Sequence, residues 1–211
     1  MSVWLGAVGC TRMCVLRRNK QAAALHPGDI IQSAEGLSIE VTNTDAEGRL
    51  TLADAIWFAR RLGGDEIVDV ATLTGAQKVA TGKKIAGLFS NDDSLAEALL
   101  DSAYRTGERL WRMPLFDDCD CDHGENSYKN AMESEIADLQ NAEKGGAGGS
   151  ITAALFLKRF VESTRHQKKV PKWAHLDVAG PVWRDKKGHE QSHAGATGYG
   201  VRLLTNFVLN K

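Results

Sequence analysis

The chain has 211 residues, 43% of them hydrophobic and 25% charged, enough for one domain with a packed core. Lys and Arg total 26 against 27 Asp and Glu, a formal net charge of −1. That balance argues against a nucleic-acid binder, which carries a concentrated basic excess, and no apolar run reaches the ~18 residues needed to span a bilayer.

Residues 1–25 differ from the rest. The apolar stretch Val3 to Leu16 is broken by Arg12, and its basic residues, Arg17 and Arg18, follow it. A secretory signal has its charge in front, so the chain reads as soluble and cytoplasmic. The pattern fits neither a clean helix nor a clean strand, and a helix or disordered arm is expected. Pro27-Gly28-Asp29 is a turn, and Ile30 to Glu40 reads as a hairpin around Glu35-Gly36. Leu50 to Leu62 has helical spacing at Leu52, Ile56 and Ala59, closed by Gly63-Gly64. Glu66 to Leu73 is a β-rich apolar run suited to a buried strand. Ser94 to Thr106 predicts a helix with Ser94 as its N-cap, and Ser150 to Thr164 predicts another. Trp173 to Ala179 reads as a strand and Thr197 to Val208 as a final helix. Strands alternating with amphipathic helices predict an α/β fold with a mixed central sheet flanked by helices.

Four further features bear on chemistry, and in each the plainer reading is favoured. Gly145-Gly146-Ala147-Gly148-Gly149 before a helix suits either an anion at a helix start or close helix–sheet packing, and packing is favoured. Cys119-Asp120-Cys121 followed by His123 resembles soft metal ligands, but selective zinc spacings put two or more residues between paired cysteines. Four cysteines (Cys10, Cys14, Cys119 and Cys121) make no disulfide scaffold, and reduced thiols are expected. The lysine pairs Lys168-Lys169 and Lys186-Lys187 read as solvated surface.

The segment Asn43-Thr44-Asp45-Ala46-Glu47-Gly48-Arg49-Leu50 stands apart. Asp45, Glu47 and Arg49 are spaced by two, so in an extended chain all three point to one side. Carboxylates suit hard divalent cations, and a bridging carboxylate can hold two ions about 3.5–4 Å apart. A guanidinium beside them can bind an anion or stabilise developing negative charge. The same residues also suit a charged surface turn before a helix.

NTDAEGRL before a helix resembles the signature of the leucyl (cytosol) aminopeptidase family of two-metal peptidases. HPGDII, VDVATLTGA (68–76), RLWRMPL (109–115), SEIADLQN (134–141), ITAALFLKRFV (151–161), WAHLDVAGP (173–181) and GATGYGVRLL (195–204) follow in family order, so the resemblance covers residues 26–211. It is closest to a probable aminopeptidase-like branch of animals. The resemblance implies the C-terminal part of the family's catalytic domain, removing leucine-like N-terminal residues from peptides. It implies Asp45 and Glu47 as ligands of two divalent ions, zinc or manganese, with Glu47 bridging. Arg49 would hold a bicarbonate acting as general base, and Thr72, Leu73 and Gly75 would bind substrate. It also implies a homo-oligomer, hexameric in the family.

One departure bears on activity. The family's other metal ligands, a lysine and two aspartates, and its catalytic lysine belong to upstream stretches of the type VGKGxxFDxGG and K-x-D-M-x-G. Nothing between Met1 and Asn43 resembles either. The expectation is a truncated member with residues 1–25 as a divergent leader. It would be weakly active or inactive alone, the alternative role being that of an interaction or oligomer-forming protein. Asp117, Asp118, Asp120 and Asp122 could stand in as ligands, but a solvated acidic loop is the favoured reading.

Overall fold

A computed structural model describes residues 2–6, 25–116, 132–143, 147–165, 169–185 and 194–211. The cysteines, His123, the aspartates from Asp117 to Asp122, Gly145, Gly146, Lys168 and the Lys186-Lys187 pair lie outside the described residues.

The elements run β1 (Ser2–Gly6), β2 (Ile30–Gln32), β3 (Ser38–Glu40), α1 (Glu47–Arg61), β4 (Glu66–Ala71), α2 (Gly75–Thr81), β5 (Ala86–Ser90) and α3 (Asp93–Thr106). They continue with β6 (Leu110–Arg112), β7 (Leu139–Gln140), α4 (Gly149–Val161), β8 (Lys172–Asp177), β9 (Trp183–Arg184), β10 (Gly195–Ala196) and α5 (Val201–Leu209). The main sheet has the order β1-β4-β8-β5-β6. β4 is parallel to β1 and β8, whereas β5 is antiparallel to β8 and parallel to β6, so the sheet is mixed as expected. A small sheet, β2-β3-β7, lies apart from it, and β9 pairs with β10.

Alternation along the strands sorts the core into two layers. Ile67, Phe89 and Trp173 point to the face covered by α1 and α4, while their neighbours Val68, Leu88 and Ala174 point to the face covered by α3 and α5. Helix α4 is buried on nearly every side, with only Lys158 and Arg159 reaching outward. That explains an apolar sequence lacking a polar stripe.

The hairpin around Glu35-Gly36 is present: Ile31 pairs with Ile39, and Gly36 takes φ 83°. Helix α1 ends as a Schellman motif, with Gly63 N–H donating to the Arg60 carbonyl and Gly64 N–H to the Ala59 carbonyl. Other expectations need correction. Ser2–Gly6 is a strand paired to β4 rather than a helix or disordered arm. Strands β4 and β8 stop at Ala71 and Asp177, two residues short of expectation, because the following residues turn to build a site. Helix α3 is capped by Asp92, whose carboxylate accepts from Leu95 N–H at 2.8 Å, while Ser94 donates to that same carboxylate. A carboxylate two residues upstream thus displaces the hydroxyl as cap. Helix α5 starts at Val201, since Thr197 spends its hydroxyl on the Pro181 carbonyl and Gly198 and Gly200 take positive φ. Strand β5, buried along its whole length, and the short helix α2 were not anticipated.

Candidate active site

The signature segment is shaped by one buried side chain. Asn141 accepts from the N–H groups of Thr42 (2.8 Å) and Asn43 (3.2 Å), and its amide donates to the Asn43 carbonyl at 2.7 Å. Asn43 in turn accepts from Asp45 N–H at 2.9 Å, an Asx turn. The chain therefore turns at Thr44-Asp45 and is helical from Glu47 onward, three residues earlier than predicted. This corrects the extended reading of the period-two spacing. Residues two apart on a helix point about 200° apart. Accordingly Glu47 is exposed at the helix start, where its charge complements the helix dipole, while Arg49 turns inward and is only 8% exposed. Asp45 is exposed in the turn.

The opposite wall follows β4. Thr72 is exposed, Leu73 half-buried, and Thr74 caps α2 by accepting from Gln77 N–H at 3.0 Å. This segment is clamped by the fully buried Asp177 at the end of β8. Its carboxylate accepts from Leu73 N–H (3.1 Å), the Thr74 hydroxyl (2.8 Å) and Ala179 N–H (3.1 Å). Behind it, Asp69 accepts from the Trp173 indole at 2.7 Å and lies 2.5 Å from His175 Nδ1, with all three residues buried.

Between these walls lies a cavity of about 250 Å³ that brings together Asp45, Arg49, Leu73, Gly75, Glu143 and Thr152. Glu47 and Thr72 are not among its lining residues. Helix α4 approaches the cavity closely: a Cβ on Gly149 would sit 3.4 Å from that of Ala76, an ordinary contact, so the glycine is not required there. Burial pushes the Arg49 guanidinium down to about 10 against the opposing pull of Glu143 and Asp177. Burial likewise raises Glu143 and Asp177 above the usual carboxylate range. Arg49 Nε and Glu143 Oε1 are both buried without a hydrogen-bond partner among the described residues. An unpartnered guanidinium N–H fits a small anion. The fit to a pair of divalent ions is poor: among the described residues no group of three or more His, Cys, Asp or Glu converges, and Asp45 and Glu47 do not share the cavity.

Sequence reasoning missed Glu143, Asn141 and Asp177. The last two fall inside blocks that resemble the family, yet nothing in their spacing announces a clamp across about a hundred residues.

The cytosol aminopeptidase family, catalytic domain, matches residues 9–205. The probable cytosol aminopeptidase of Cyanothece sp. is 58% identical over 186 residues, covering 88% of this chain and 34% of that protein. That of Synechococcus elongatus is 56% identical over 186 residues, again 88% of this chain and 35% of the relative. A lysine-to-glutamate mutant of tomato leucine aminopeptidase superposes with a TM-score of 0.77 at 46% identity, covering 90% of this chain and 34% of that one. These relatives are cyanobacterial and plant proteins and leave the animal branch an expectation. The chain spans about a third of the length of the relatives it matches. On the strength of the family match over residues 9–205, the chain belongs to the cytosol aminopeptidase family.

Proposed function

We propose that the chain contributes one wall of a metal-dependent aminopeptidase site that releases leucine-like N-terminal residues from peptides. The observation that carries this reading is the convergence of Asp45, Arg49, Leu73 and Gly75 on one cavity within the family's catalytic domain. Arg49 is the catalytic residue in this reading. Its buried cation holds a small anion such as bicarbonate, which accepts a proton during hydrolysis. The backbone of Leu73 and Gly75, with Thr72 beside them, orients the peptide, and Asp177 keeps that backbone in place. Asp45 and Glu47 are the ligands offered to zinc or manganese. They supply two carboxylates and do not complete a two-metal centre among the described residues.

That incompleteness favours a second reading, a catalytically impaired family member acting through interaction or assembly. A homo-oligomer, hexameric by family resemblance, and a cytoplasmic location accompany either reading. Among the described residues no helix is long and apolar enough to cross a membrane.

The test is purification from a host lacking its own leucyl aminopeptidase, with leucyl-anilide, Mn²⁺, Zn²⁺ and bicarbonate supplied. Turnover at least ~10³-fold below that of a full-length relative is expected, on the scale of losing one electrostatic stabiliser and the metal pair together. In a full-length relative with the same signature, the change matching Glu47→Ala should abolish activity and that matching Arg49→Ala should only reduce it. Turnover indifferent to both substitutions defeats the proposal, and equal residual rates defeat the assigned roles.

A further inference from the structure

Helix α2 begins at the cavity just described and ends at a second hollow. This one has a volume of about 380 Å³ and is larger than the first. Both lie at the same end of the central strands, because β5 runs antiparallel to β8 and starts where β8 ends, with Gly87 facing Asp177. The second hollow has no part in the peptidase reading.

Its composition is unlike that of the chain. The whole protein carries a net charge of −1, yet Lys83, Lys84, Arg109, Arg184 and Arg202 all line this hollow, with Glu108 as the one acidic lining side chain among the described residues. Glu108 cannot neutralise them. It is buried, and its carboxylate already accepts from Gly200 N–H at 3.1 Å and Leu203 N–H at 2.9 Å while pairing with Arg202 at 3.4 Å. Lys83 pairs with Asp185. Lys84, Arg109 and Arg184 remain exposed, with no carboxylate partner among the described residues.

The floor under these cations is fixed. The Arg109 carbonyl accepts from Ala86 N–H at 3.1 Å and from the Tyr199 hydroxyl at 2.5 Å, which pins the arginine backbone at the rim. The Thr197 hydroxyl is spent on the Pro181 carbonyl at 2.7 Å, and Thr197 N–H on the Val182 carbonyl at 3.0 Å. Three like charges lining one concavity repel one another, and a multiply charged anion relieves that repulsion. Guanidinium forks match phosphate oxygens two at a time.

We propose that this hollow is a binding site for a small phosphate-bearing anion, held by Arg109, Arg184 and Lys84. The site stands or falls independently of the aminopeptidase reading.

The probe is pyrophosphate, titrated into the full chain at low salt and followed by calorimetry and by backbone amide shifts. Saturable binding is expected, with the shifts centred on Gly107, Arg109, Thr197 and Tyr199. Arg109→Ser and Arg184→Ser should each weaken it at least about tenfold, the scale of one charge-assisted pair. Both positions are exposed, so folding should survive, and circular dichroism checks that. Lys169→Ser, which removes an exposed lysine paired with Asp65 elsewhere, should change nothing. A nucleoside diphosphate binding more tightly than pyrophosphate identifies the source as a nucleotide, and equal affinity identifies free phosphate. No saturation at millimolar concentration, shifts centred elsewhere, or an equal loss in Lys169→Ser overturns the proposal.

Discussion

Asp177 offers the sharpest test of how the site is held. The residue is fully buried, and three donors converge on its carboxylate: Leu73 N–H, the Thr74 hydroxyl and Ala179 N–H. Asp177→Ala leaves all three without their acceptor. A buried donor left unsatisfied costs about 1–3 kcal/mol, which would suggest about 3–9 kcal/mol in total. Two corrections reduce that figure. Leu73 and Ala179 are only partly buried, so water can replace the acceptor there. Burial also raises the carboxyl above its ordinary range, which shows that its charge is held at a cost that alanine removes. A net loss of about 2–4 kcal/mol is expected, a large share of the roughly 5–15 kcal/mol that holds a domain of this size. Asp177→Asn keeps an oxygen for the two N–H groups, and its amide can donate to the Thr74 hydroxyl, so about 1 kcal/mol should be lost. The assay is urea denaturation at neutral pH with both variants beside the parent, read at constant m-value. Equal losses for alanine and asparagine, or a loss below about 1 kcal/mol for alanine, would refute the clamp.

Three further outcomes are expected. Burial alone would lower the His175 imidazole, but the paired Asp69 carboxylate, with Asp177 adding to it against Arg49, outweighs burial and raises it above the ordinary 6.5. The resulting stability is fully present below pH 6.5 and is lost as pH rises through the folded-state value, so urea midpoints should fall above pH 6.5 and His175→Gln should flatten that fall. A Cβ at Gly180 would lie 2.1 Å from the Gly82 carbonyl oxygen, a backbone atom that cannot swing aside, so Gly180→Ala should lower stability by about 1–3 kcal/mol or more in thermal melts. Calorimetric titration with Mn²⁺ should find at most one weak site per chain, reduced by Asp45→Asn, because the described carboxylates do not converge in threes.

How much of this was legible in the sequence differs from element to element. Helix α1 announced itself through Leu52, Ile56 and Ala59 and through the Gly63-Gly64 stop, because spacing and cap both act within a few residues. Its true start did not, because the early turn depends on Asn141, about a hundred residues away. Strand β5 was missed because it is short, holds Gly87 and Ser90, and is buried on both faces, leaving no alternation to read. Of the signature residues, Asp45 and Arg49 line one cavity. The period-two argument assumed a strand where the backbone is already helical, and Glu47 stands exposed at the helix start. Glu143 carried no local signal at all, and its place opposite Arg49 exists only once α4 is docked.

The central position of β8 has a consequence for how the molecule assembles. Its partner β4 lies far away in sequence: His175 and Asp69, which face each other across the pair, are 106 positions apart. Helices α1 and α3 and the β2–β3 hairpin can form from local contacts, but the sheet cannot close until the chain through β8 has been delivered. The loop carrying Leu73 and Thr74 is fastened across the sheet by Asp177, at the far end of β8, the last strand of the main sheet in chain order. A partly folded chain therefore has helices and a hairpin but lacks the Leu73–Thr74 wall of the cavity, and order at that wall reports completed folding rather than secondary-structure content.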